Sequence, residues 1–76
     1  MDVTQHIEIY PKVMMGKPVI KGTGITIESL LEKLSSGETE ADILEAHSHI
    51  TIEDIKAALL FAAQSLKGEN IYPIVS

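Results

Sequence analysis

The chain has 76 residues, 45% of them hydrophobic and 22% charged, a composition that folds as one small domain near the lower size limit for a self-sufficient core. Eleven acids against six bases give a formal net charge of −5, and all six bases are lysine. The lack of cysteine excludes disulfides, thiolate nucleophiles and cysteine-based metal sites, and the lack of arginine weighs against nucleic acid as the main partner.

The charge is unevenly placed. Residues 1–25 carry three lysines, Lys12, Lys17 and Lys21, against two acids, whereas residues 26–76 carry three lysines against nine acids. The longest fully apolar run, Ala57–Ala63, is too short to span a bilayer, and no basic segment precedes an apolar stretch at the start. A cytoplasmic protein with neither a membrane span nor a secretory signal is the expectation.

In chain order, His6–Tyr10 alternates polar and apolar residues, which predicts a strand ended by Pro11. Pro18–Ile20 is a second short β-prone piece, set between Gly16 and the Gly22-Thr23-Gly24 turn. Two such strands are barely stable alone, so this β arm needs helices beneath it or another chain beside it. The pattern predicts a dimer in which Ile7 and Ile9 exchange between two copies.

Three helices follow, near Ile27–Ser35, Glu40–Ala46 and Ile52–Lys67. Each has a threonine at its N-cap position: Thr26, Thr39 and Thr51. Asp42 and Asp54 stand three residues after the second and third caps, in short capping boxes. Gly37 and Gly68 close the first and third helices. The predicted core is Ile25, Leu30, Leu31, Leu34, Ile43, Leu44, Ile55, Leu59, Ala62 and Leu66. The chain thus divides into a β arm (1–25), a three-helix body (26–68) and a short apolar tail (69–76). The fold class is mainly α: a three-helix bundle of helix-turn-helix, homeodomain-like shape with an N-terminal β arm or hairpin.

Candidate chemistry is sparse. Gly16-Lys17 and Gly22-Thr23-Gly24 complete neither phosphate-binding pattern, so Gly16, Gly22, Thr23 and Gly24 read as a structural turn. His47-Ser48-His49 offers two metal ligands and no third at a convincing spacing, so a solvated turn is preferred and no metal or cofactor is implied. No nucleophile stands with a His–acid pair, so the reading is non-enzymatic. From Thr39 to Asp54 there are five acids and no lysine, although the start of the second helix of a helix-turn-helix meets phosphates and base edges. Glu40, Glu45, Glu53 and Asp54 are therefore candidates for contacting a basic protein partner. Lys12, Lys17 and Lys21 are the candidates for any nucleic-acid contact.

The stretch Gly16-Lys17-Pro18-Val19-Ile20-Lys21-Gly22-Thr23-Gly24-Ile25 resembles the DUF433 family, in which Gly-Lys-Pro-x-Ile-basic-Gly-Thr-Arg-Ile precedes the helices. The order Ser36-Gly37, Asp42-Ile43-Leu44 and Ile50-Thr51-x-Glu53-Asp54-Ile55 matches as well, and the resemblance covers roughly residues 5–66. Gly24 stands at the usual Arg, and His47-Ser48 at a usual Tyr-Pro. The resemblance implies a homeodomain-like fold with a β element and an antitoxin role beside a PIN-like nuclease toxin. A dimeric DNA-binding regulator is the alternative.

Overall fold

Local chemistry sets the helix boundaries. The Thr26 hydroxyl accepts a hydrogen bond from the Ser29 N–H at 3.1 Å and opens α1 (Ile27–Ser35). Thr39 and Thr51 open α2 (Glu40–Ala46) and α3 (Ile52–Leu66) with complete capping boxes. In each box the threonine hydroxyl accepts from the aspartate N–H, and the aspartate carboxylate accepts from the threonine N–H. Gly37, at φ 102°, ends α1: its N–H donates to the Leu34 carbonyl, and the Glu38 N–H donates to the Lys33 carbonyl. This is the Schellman pattern, in which a left-handed residue lets the chain turn back on the last carbonyls.

The computed structural model describes residues 1–12 and 14–68. The apolar tail at 69–76 lies outside the described residues. Strands β1 (Ile7–Ile9) and β2 (Pro18–Ile20) pair antiparallel in the register Ile7↔Ile20, Glu8↔Val19, Ile9↔Pro18. A 3₁₀ turn at Val3–Gln5 precedes β1, and Val19 makes an isolated bridge to Thr26 at the start of α1. The protein is thus a small, mainly α fold of three helices with an N-terminal hairpin, as the sequence predicts.

The arm departs from expectation. Ile7 and Ile20 face one another across the hairpin, and both are fully buried in one cluster with Leu30, Ile43, Ile55 and Phe61. Ile9 is half-buried against the same cluster. In the single chain Ile7 is therefore a core residue, and Ile9 packs at the edge of that core. Within the single chain the strand finds its hydrogen bonds in β2 and its apolar cover in the helices.

The buried face of α3 also differs. Leu59 is 42% and Leu66 90% exposed, whereas Ala57, Ala58 and Phe61 are buried. The predicted stripe through Ile55, Leu59, Ala62 and Leu66 is off by about a quarter turn, at 100° per residue. Both the 3₁₀ turn and β1 pack against α3, which adds contacts on a side that a three-helix reading leaves to solvent. Alanine at 57 and 58 lets these elements approach closely. The other predicted core positions are buried (Leu30, Ile43, Ile55) or half-buried (Ile25, Leu31, Leu34, Leu44, Ala62).

Candidate protein-interaction surface

The surface begins with the capped first turns of α2 and α3. Thr39 and Thr51 each need an acid at the third helical position, so capping alone places two carboxylates at these helix starts. Asp42 is exposed, and its Oδ2 accepts from the Thr39 N–H at 2.9 Å. That backbone bond, followed by the Thr39 side-chain bond, holds the Asp42 carboxyl below the usual carboxylate range. Glu40, Glu45 and Glu53 are exposed and stand in no ion pair among the described residues.

Asp54 is different. Its side chain is 15% exposed, Oδ1 lies 2.8 Å from His6 Nδ1, and Oδ2 accepts from the Thr51 N–H at 3.0 Å. Both oxygens are engaged within the chain. As a contact for a partner, Asp54 is withdrawn: it caps α3 and ties the start of β1 to it. Sequence reading finds the cap, because Thr51 is three residues away. It misses His6, which is 48 residues distant.

Two of the three arm lysines stand beside carboxylates. Lys17 Nζ is 3.2 Å from Glu28 Oε1, and Lys21 Nζ is 3.9 Å from Glu8 Oε1. Lys12 is exposed. Glu8 itself is buried and accepts a hydrogen bond from the Tyr10 hydroxyl. That bond raises the Tyr10 phenol above its ordinary value, and desolvation adds to the shift. His6, Glu8 and Tyr10 are thus polar residues with structural work that no motif marked.

The glycine turn satisfies itself. Gly16, Gly22 and Gly24 have φ of 75°, 77° and 73°. The Thr23 hydroxyl donates to the Ile20 carbonyl at 2.8 Å and accepts from the Ile25 N–H at 3.0 Å. At Gly24 a side chain would meet nothing within 4 Å, so the backbone conformation, not crowding, favours glycine there. His47 and His49 sit in the turn between α2 and α3, half-buried and exposed respectively. Among the described residues, no three His, Cys, Asp or Glu side chains come together as a metal site. No helix among them is long and apolar enough to cross a membrane.

An apolar groove of about 490 Å³ runs between α1 and the last two turns of α3, lined by Pro18, Ile27, Leu31, Phe61, Ala62 and Leu66. Glu28 and Glu32 of α1 and Ser65 of α3 also line it. A family model for DUF433, a protein of unknown function, matches the sequence over residues 7–62. The chain belongs to the DUF433 family. No curated protein and no solved structure matches it. In this DUF433 member the matched span takes in the hairpin, the turn, all of α1 and α2, and α3 as far as Ala62. The exposed Leu66 lies beyond it.

Proposed function

We propose that this protein is a cytoplasmic, non-enzymatic binding module of antitoxin type, which masks a basic protein surface such as that of a PIN-like nuclease toxin. The observation that carries this reading is the free acidity of the α2 region. Glu40 and Glu45 are exposed, and no lysine stands between Thr39 and Asp54 to offset them. Such an acidic region attracts a cationic partner over about a Debye length and repels phosphate. Glu53 adds to the same field from the start of α3. A helix-turn-helix regulator requires the opposite sign at this place, and two of the three arm lysines already have carboxylate partners.

The test is charge reversal at Glu40→Lys with Glu45→Lys, measured against the product of the neighbouring gene by calorimetry at two salt concentrations. Affinity should fall about tenfold or more, the wild-type complex should weaken with salt, and the melting curve should stay within about 0.5 kcal/mol of wild type, because both sites are exposed. Unchanged affinity removes the acidic region from the interaction. Tight, salt-sensitive operator binding by the free protein would replace this reading with the DNA-binding one.

A further inference from the structure

Helix α3 is apolar on two sides. Its inner side buries Ala57, Ala58 and Phe61, while Leu59, Ala63 and Leu66 are exposed on the outer one. These three stand at i, i+4 and i+7, so they share one face, and the half-buried Ile52 continues it one heptad earlier. At its C-terminal end the stripe runs into the α1–α3 groove through Ala62 and Leu66.

The charges beside the stripe say what covers it. Glu53, Lys56 and Lys67 are exposed along one edge, with the acid at the start of α3 and a lysine at its end. This edge is unlike the α2 region: its lysines do not welcome a basic partner. It suits a helix with base where this one has acid and acid where this one has base. A second α3 laid antiparallel has that pattern, and opposed helix dipoles favour the same orientation. We infer that two copies of this chain associate through antiparallel α3 helices about a two-fold axis near Leu59. Leu66 of each copy packs toward the Ile52 end of the other, and Glu53 of each faces Lys67 of the other. The 15-residue helix is about 22 Å long, enough for two heptads of contact. The interface replaces the arm exchange that the sequence pattern predicts, and it leaves Glu40 and Glu45 outside the contact.

Sedimentation velocity of the full chain over a dilution series tests this. A reversible dimer is expected at high micromolar concentration. Leu66→Lys should weaken it by at least about tenfold, with the helical circular dichroism retained. Glu53→Lys and Lys67→Glu should each weaken it by about twofold to thirtyfold, since every dimer holds two such pairs. The double variant Glu53→Lys/Lys67→Glu should return to within about threefold of wild type. Three results would each overturn the inference: a monomer up to millimolar concentration, a dimer indifferent to Leu66→Lys, or a double variant no tighter than its parents.

Discussion

Replacing Ile7 by alanine separates a docked hairpin from a free arm. Ile7 is fully buried at the centre of the cluster formed by Ile20, Leu30, Ile55 and Phe61. The change removes three carbons, which at about 0.8 kcal/mol each is roughly 2.4 kcal/mol of transfer free energy. Part of the vacated volume stays open, because Ile20 is held in register by its strand and Leu30 by α1, and this cavity adds up to about 1 kcal/mol more. The expected loss is therefore about 3 kcal/mol, which in a domain of this size lowers the melting temperature by roughly 12–24 °C. Urea unfolding followed at 222 nm, at a few micromolar and again at several hundred, is the assay. The loss should be the same at both concentrations, because the contacts are intramolecular. A cost below about 1 kcal/mol would show that β1 is not part of the core. A cost that appears only at the higher concentration would show that Ile7 is buried by a second copy.

Two further outcomes follow from the polar contacts. In a double-mutant cycle, His6→Ala and Asp54→Ala should couple by about 1 kcal/mol, through the 2.8 Å contact that ties β1 to α3; additivity within about 0.3 kcal/mol would remove that tie. Tyr10 should titrate above its ordinary value in an ultraviolet difference titration, and Glu8→Gln should bring it back down. Because the folded-state value is the raised one, the contact stabilises the fold below the unfolded phenol's value of about 10 and is lost as pH rises through the folded value. A Tyr10 titration unmoved by Glu8→Gln would separate the two groups.

The sequence by itself determined what short-range chemistry controls. Thr26, Thr39 and Thr51 each cap a helix through a group three residues on, so reading a few neighbours was enough to place the starts of α1, α2 and α3. Gly37, and the turn around Thr23, were legible for the same reason. The acidity of the α2 region was legible too, since no fold can bring lysine into a segment that has none. Tertiary structure decided the rest. Helix α3 carries apolar residues on two sides, and the side that faces inward depends on where the hairpin docks. Periodicity alone chose Leu59 and Leu66; the arm, packing from the other side, buried Ala57, Ala58 and Phe61 instead. The same docking turned Ile7 from a candidate interface residue into core. It also joined His6 to Asp54, so a carboxylate that seemed free for a partner is held inside the chain. Interactions three or four residues apart are written in the local sequence. Those that close loops of tens of residues are fixed when the elements pack, because only packing chooses between two faces of comparable hydrophobicity.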